Sequence, residues 1–273
     1  MRSITIVIPC LNAQKVLPTQ LAALAPQTAG VEVIVVDNGS SDSTAEIARA
    51  AGVRCVEAHD RPGRHHACNV GAASAGGDGL VFIDSDDEVV PGFVEAMSEA
   101  LLANDFVAGR LDPWSGAEGD AVTQSAGLIR FPWRPFVSGA AMGVSKQAFF
   151  EVGGFSEDMS FSEDVDLSWR LMDAGYEPVY AAGAGVRYRT RSTPMDMFRQ
   201  HRNYGRGQVR LYRRWREHGM PRRGWREARS ELSTIIRAVP FLRDRDVRAR
   251  WARRTGRLVG HLEQSVRSRV LYV

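Results

Sequence analysis

Ile4–Ile8 and Val31–Val36 are near-continuous runs of β-branched residues with no clean alternation between apolar and polar positions. A strand of that kind has both faces buried, and such strands belong to parallel sheets covered by helices on either side. Helical patterns fill the gaps. Val16, Leu17, Leu21 and Leu24 fall on one helical face, Ser43-Thr44-Ala45-Glu46 reads as a capping box opening a helix to about Ala51, and Ala67 to Ala75 reads as a helix of small residues. Further strands are expected at Val53–Glu57 and Leu80–Ile83. The alternation predicts an α/β fold with a Rossmann-like, mostly parallel sheet and flanking helices. At 273 residues and 44% hydrophobic, the chain can bury a substantial core.

Farther along, Pro91 suits the first turn of a helix running to about Ala103. Residues 112–135 mix Gly, Pro, Trp and polar groups without periodicity and read as a long loop. Ser138–Ser145 reads as a strand of small residues, and Lys146–Val152 as a short helix closed by Gly153-Gly154. From Asp164 a helix carries Leu167 and Leu171 on one face and stops at Gly175.

Open α/β sheets bind ligands beyond the carboxyl ends of their strands. Asn12, Asp37-Asn38 and Asp84-Ser85-Asp86 each follow an expected strand directly, so they converge on one crevice. Three carboxylates as close as Asp84, Asp86 and Asp87 repel one another, and oxygen-only ligation suits a hard cation such as Mg2+ or Mn2+, an ion that commonly accompanies phosphorylated substrates. Taken alone, the knot also fits a solvated turn. No GxGxxG follows the first strand and no GxxxxGK[ST] occurs, which argues against dinucleotide oxidoreductases and P-loop enzymes.

Five blocks in order resemble the family 2 glycosyltransferases of GT-A fold: Ile6-Val7-Ile8-Pro9-Cys10-Leu11-Asn12; Val35-Val36-Asp37-Asn38-Gly39-Ser40-Ser41-Asp42; Asn69-Val70-Gly71-Ala72 with Phe82-Ile83-Asp84-Ser85-Asp86-Asp87; Gly153-Gly154-Phe155; and Glu163-Asp164-Val165-Asp166-Leu167-Ser168-Trp169-Arg170. The match runs over residues 3–190. The resemblance implies transfer of a sugar from a nucleotide diphosphate donor, with inversion at the anomeric carbon and help from Mn2+ or Mg2+. It makes Asp86 the main metal ligand of a DxD motif, with Asp84 as its partner near the ribose and sugar beside Ser85. Pro9, Asn12, Asp37 and Asn38 match the positions that hold the nucleoside, and Arg64 stands where it meets the diphosphate, the base edge or only solvent. Asp164, with Glu163 beside it, matches the catalytic base; a carboxylate there also serves as helix N-cap. Asp166 and Arg170 read as helix surface. Gly139, Ala140 and Trp133 fall where the family shapes its acceptor pocket, although a Trp in an apolar stretch also suits packing. The acceptor is expected to be lipid-linked or a polysaccharide, and the transferred sugar a hexose or deoxyhexose.

One departure stands out. The family commonly carries a metal-binding His on its last strand, and Val186-Arg187-Tyr188-Arg189 puts Tyr188 there, which leaves the metal to Asp86, diphosphate and water. His65 and His66 read as surface residues. Cys10, Cys55 and Cys68 have neither CxxC nor Cys/His spacing and read as reduced, buried thiols.

The net charge of +3 conceals a division. Residues 1–186 hold 11 basic and 25 acidic side chains, whereas residues 187–273 hold 24 arginines, no lysine and 7 acidic side chains. An acidic catalytic domain, residues 1–190, is thus followed by a basic helical region, residues 191–273, with breaks near Gly219-Met220-Pro221 and Pro240; Gly205 and Gly207 are expected to loosen its first helix. Arg alternates there with Met197, Phe198, Tyr204, Val209, Leu211, Tyr212 and Trp215, then with Trp225, Leu232, Ile235, Ile236, Phe241 and Leu242. Such a face suits an anionic membrane surface, packing on the body or on a second copy as a homo-oligomer, or nucleic acid, for which no binding motif is visible. No run reaches the roughly 18 to 20 apolar residues of a membrane span, so the expected location is cytoplasmic, peripheral to the inner face of the membrane. Two rivals keep the fold: a nucleotidyltransferase, for which Pro9-Cys10-Leu11-Asn12 lacks the basic Gly-rich signature, and a catalytically degenerate nucleotide-sugar-binding scaffold at a membrane.

Overall fold

The computed structural model describes residues 3–114, 124–125 and 127–272. The chain divides into two compact units, Met1–Thr190 and Arg191–Val273. In the first, the elements run β1 (Ile4–Cys10), α1 (Leu17–Leu24), β2 (Glu32–Asp37), α2 (Thr44–Ala50), β3 (Arg54–Glu57), α3 (Arg64–Ser74), β4 (Gly79–Phe82), β5 (Glu88–Val89), α4 (Phe93–Ala103), β6 (Phe106–Pro113), β7 (Gln124–Ser125), β8 (Leu128–Ile129), β9 (Phe136–Val137), β10 (Met142–Ser145), α5 (Lys146–Glu151), α6 (Glu163–Asp173) and β11 (Val179–Tyr188).

Eight strands form one sheet in the order β3-β2-β1-β4-β10-β6-β11-β5. β1 to β4 pair in parallel, β10 runs antiparallel between β4 and β6, and β11 is parallel to β6. Alternate residues of β1 point to opposite faces. Ile4, Ile6 and Ile8 meet Leu17, Leu21 and Leu24 of α1 and Phe93, Met97 and Leu101 of α4, while Val7 faces Ala67, Cys68 and Ala72 of α3. The doubly buried strands are therefore the middle layer of a three-layer sandwich.

Small residues make α3 fit. A Cβ on Gly71 would lie 2.4 Å from a Val7 methyl and 2.8 Å from one of Val36, so the helix lies closer to β1 and β2 than a side chain allows. At its other side the Asn69 amide donates to the Phe155 carbonyl at 2.8 Å and accepts the Phe155 N–H at 2.9 Å. Gly153 and Gly154, both at positive φ, bring the chain to that contact. The Asn69–Ala72 and Gly153–Phe155 blocks are thus partners of each other.

Several local expectations are corrected. Ser43 stands at the N-cap of α2 without capping it; the charged Asp42 accepts the Thr44 N–H at 3.1 Å instead. The Thr44 hydroxyl, also bonded to Asp42, accepts the Ala13 N–H at 2.8 Å. Pro91 lies before α4, whose N-cap is Gly92 at φ +86°. Part of the expected 112–135 loop is strand: Asp112 and Pro113 end β6, and β7, β8 and β9 form a small antiparallel sheet. Residues 115–123 and 126 lie outside the described residues. Residues 138–141 are a turn, closed by the Ala141 N–H on the Ser138 carbonyl at 3.1 Å, and only Met142–Ser145 is strand.

The second unit holds α7 (Pro194–Trp215), α8 (Trp225–Ala238) and α9 (Arg245–Ser268). α7 runs unbroken through Gly205 and Gly207, and Gly205 serves a close approach. A Cβ on Gly205 would sit 2.3 Å from the Arg257 carbonyl oxygen, and one on Gly260 would sit 2.0 Å from that of Arg202. Glu263 of α9 holds Arg202 at 2.5 Å and Arg206 at 2.6 Å across this crossing. Burial and the positive charge of Arg257 push His201 down to about 4, and burial with Arg223 pushes His261 down to about 3.

Candidate active site

The sheet gathers the polar residues at one edge. β1 ends at Cys10, β2 at Asp37 and β4 at Phe82, and antiparallel β10 begins at that same level, with Met142 opposite Phe82. From β4 the chain passes through Ile83–Asp87 into β5, which pairs with Val186 and Arg187 of β11. That crossing carries the Asp84–Asp87 knot from the middle of the sheet to its far edge. A recess of about 760 Å3 lined by Leu21, Leu24, Val31 and Val53 opens at the amino ends of β2 and β3, away from these groups.

On the β1–β2 side, Asn12 adopts left-handed backbone at φ +51°, a conformation Asn tolerates. Its side-chain amide oxygen accepts the Ser41 N–H at 2.9 Å and its backbone N–H donates to the Ser40 hydroxyl at 2.9 Å. Pro9 is buried within β1. Asp37 is buried, accepts the Ser40 N–H at 3.2 Å and holds the His59 ring at 2.9 Å. Asn38 donates to the Ala58 and Arg61 carbonyls and accepts the Gly63 N–H at 2.7 Å, so its amide shapes the 58–63 loop.

Arg64 opens α3 and ties the centre together. Its Nε donates to Asp84 at 2.7 Å, its terminal nitrogen donates to the Gly139 carbonyl at 2.8 Å, and Glu163 lies 3.8 Å away. Burial would lower its affinity for the proton, but Asp84, the Cys68 thiol and Glu163 outweigh burial and raise it further, so it is a fixed cation. The Gly139 peptide also reaches the other way, its N–H donating to Asp164 at 3.2 Å. A Cβ at Gly139 would stand 3.0 Å from the guanidinium, so a larger residue there would press on Arg64.

α6 presents Glu163 and Asp164 in its first turn, with Ser162 rather than Asp164 at the N-cap. Burial, and then the Glu163 charge, raise Asp164 from 3.8 to about 6, against the Gly139 N–H and Arg64, which pull it down. One oxygen of the buried Glu163 carboxylate has no hydrogen-bond partner among the described residues. A carboxyl poised near neutrality in a crevice fits a general base.

Asp86 is half-buried, and Ser85 beside it likewise. Arg189, a residue sequence reasoning passed over, approaches from the end of β11: its N–H donates to Asp87 at 2.8 Å, its Nε donates to the Asp86 carbonyl at 3.0 Å, and its guanidinium lies 4.5 Å from the Trp114 ring. Tyr188 is half-buried and packs against the hydrophobic core. Among the described residues no three His, Cys, Asp or Glu side chains stand together to hold a metal. Asp84 is engaged by Arg64, and buried Asp87 is turned to Arg189. Carboxylate oxygens of this kind suit a hard cation such as Mn2+ or Mg2+.

Three further expectations change. His65 and His66 are buried; His66 meets Asp60 at 2.8 Å and Glu157 at 3.5 Å. Asp166 and Arg170 are not helix surface: Asp166 is fully buried, accepts the Ser156 hydroxyl and Arg170 Nε, and Arg170 clamps the Val152 and Gly154 carbonyls. Ala140 is buried in the core, so its side chain does not line the crevice. Trp133 lies edge-on to Trp169 at 4.9 Å, whose indole N–H holds the Pro135 carbonyl at 3.0 Å; the pair shapes the loop that delivers Gly139. The three thiols are free, with Cys10 and Cys68 buried and Cys55 half-buried. Burial pushes Cys68 up to about 12.

A sequence profile of glycosyl transferase family 2 matches residues 5–156. The chain belongs to this family. It is a glycosyltransferase, and its mostly parallel sheet with flanking helices is the GT-A fold. Among its relatives is the O-antigen chain rhamnosyltransferase RfbN of Salmonella typhimurium, 25% identical over 96% of this chain and 91% of the relative. The succinoglycan biosynthesis protein ExoA of Rhizobium meliloti is 28% identical over 76% of this chain and 69% of that protein. The mannosyltransferase PcManGT of Pyrobaculum calidifontis, solved with GDP-Man and Mn2+, superimposes with a TM-score of 0.65 at 16% identity, covering 96% of this chain and 87% of that one.

Proposed function

We propose that this glycosyltransferase moves a hexosyl or deoxyhexosyl group, with inversion, from a nucleotide diphosphate sugar to a lipid-linked or polysaccharide acceptor met at the inner face of a membrane. Residues 1–190 carry the chemistry. The observation that carries the reading is the convergence of Asp84, Arg64, Gly139 and Asp164 at one sheet edge, with Asp164 raised to about 6. RfbN and ExoA, named for O-antigen chain and succinoglycan, support the acceptor class.

In this reading Pro9, Asn12, Asp37 and Asn38 hold the nucleoside, and Ser85 and Asp84 border the ribose and sugar. Asp86 would hold Mn2+ or Mg2+, which when bound neutralises the departing diphosphate. Arg64, bonded to Asp84, and Arg189, bonded to the Asp86 carbonyl, bring two cations to this segment, and Arg189 supplies charge one residue from Tyr188, where the family's His would stand. Asp164 takes the proton of the acceptor hydroxyl as its oxygen attacks the anomeric carbon from the face opposite the diphosphate. Glu163 keeps Asp164 basic, the Gly139 N–H orients its carboxylate, and Trp133 with the Gly139 turn borders the acceptor.

The test is thermal stability of the full chain against UDP, dTDP and GDP and their sugars, with and without Mn2+. One nucleotide raising the transition, more so with Mn2+, is expected, since a ligand of the folded state stabilises it by mass action. No shift with any nucleotide would overturn the reading.

A further inference from the structure

The helix α8 already has an inward face, with Ala228 and Ile235 buried. It carries a second apolar face outward: Trp225, Leu232 and Ile236 are 56%, 48% and 60% exposed, and Val239 and Phe241 just beyond are 52% and 63% exposed. At about 100° per residue, positions 225, 232 and 236 fall within about 40° of one another. Five large apolar side chains gathered on one exposed segment are far from the scattered singles of an ordinary surface. Around them Arg222, Arg226, Arg229, Arg237, Arg243 and Arg245 are all exposed. Glu231, the acid nearest the middle of the helix, is taken up by Arg223. The wider segment, residues 187–273, carries 24 arginines against 7 acids.

We propose that α8 and the turn after it dock in the plane of an anionic phospholipid bilayer. Trp225, Leu232, Ile236, Val239 and Phe241 enter the boundary between headgroups and acyl chains, and the surrounding arginines meet lipid phosphates. This deepens the reading that the acceptor is met at a membrane, and rests on it for why such docking serves catalysis. Charge decides among occupants. Two copies meeting through this face would bring two sets of arginines together, and nucleic acid makes no use of Leu232, Ile236 and Val239, whereas an anionic bilayer satisfies both halves of the face. Among the described residues no helix is long and apolar enough to cross a membrane, so the contact is one of lying on the surface.

Sedimentation of the full chain with vesicles tests this. Binding to vesicles of phosphatidylcholine with phosphatidylglycerol, weakened by high salt and nearly absent with phosphatidylcholine alone, is the expected result. Leu232→Ser with Ile236→Ser should lower the partition coefficient about tenfold or more while leaving the melting transition unchanged, because both side chains are exposed. Arg226→Gln with Arg229→Gln and Arg237→Gln should remove most of the preference for anionic vesicles. Failure of the wild-type chain to sediment, or variants that bind as well as wild type, would overturn the proposal. So would a solution dimer that the Leu232→Ser and Ile236→Ser pair converts to monomer, or an RNA that binds through the same arginines and displaces vesicles. The nucleotide-dependent melting shift reports the chemistry and sedimentation reports the docking, so either can fail alone.

Discussion

Raising Asp164 to about 6 makes transfer depend on pH in a range where an ordinary carboxylate does not change. With a midpoint near 6, the ionised fraction falls from about nine-tenths at pH 7 to about one-tenth at pH 5, so kcat/KM should fall about tenfold between them. A carboxyl at its usual value would lose less than about a tenth of its ionised form over that range. The effect is separable from folding by its sign. The folded state binds the Asp164 proton more tightly than the unfolded chain, so ionisation between pH 3.8 and about 6 weakens the fold while it raises the rate. Two substitutions move the midpoint in opposite directions: Glu163→Gln removes a like charge and should shift it toward acid, and Arg64→Gln removes a cation and should shift it toward alkali. The assay is initial rate against pH at constant ionic strength with excess Mn2+. A flat profile from pH 5 to 7, or a midpoint that Glu163→Gln drives toward alkali, would refute the reasoning.

Three other outcomes are expected. Gly260→Ala should destabilise the C-terminal unit by about 1–3 kcal/mol, seen as a lower melting temperature, because the new methyl meets the backbone oxygen of Arg202, which cannot move aside cheaply; an unchanged melt would contradict the close crossing. Arg189→Gln should weaken Mn2+-dependent binding of the recognised nucleoside diphosphate about tenfold by calorimetry, the loss of one charge-assisted contact, whereas equal affinities would remove Arg189 from the site. His201 and His261 are held neutral in the folded state, to about 4 and about 3. Below their ordinary value the unfolded chain takes up protons that the folded unit refuses, so stability should fall as pH drops from about 6.5 toward 4, a trend that substituting Gln for both should flatten in urea titrations.

The elements read most directly from sequence are those whose cause is local. β1 and β2 showed themselves by apolar runs that only doubly buried strands carry, and α6 by Leu167 and Leu171 one turn apart. The acidic knot stood out by its three close carboxylates, although alone it also fitted a solvated turn. What escaped depends on partners distant in the chain. Arg64 finds Asp84, Gly139 and Glu163 across 20, 75 and 99 residues, and Arg189 reaches Asp86 only because β5 crosses to the edge beside β11. Ser43 satisfies the pattern of a cap, yet its side chain caps nothing, and Asp42 before it accepts the first N–H of the helix. Asp166 and Arg170 look like a surface pair at helical spacing, and only the fold shows them clamping the Gly153-Gly154 turn.

The most direct test of the account is release of nucleoside diphosphate from the donor sugar that stabilises the protein, measured for wild type and Asp164→Asn with Mn2+ and an acceptor-containing lipid or polysaccharide extract. The account predicts turnover by wild type and its loss in Asp164→Asn, with donor affinity unchanged by calorimetry. Equal turnover by both proteins would contradict Asp164 as the base, and no turnover of any nucleotide sugar by wild type would contradict the proposed reaction.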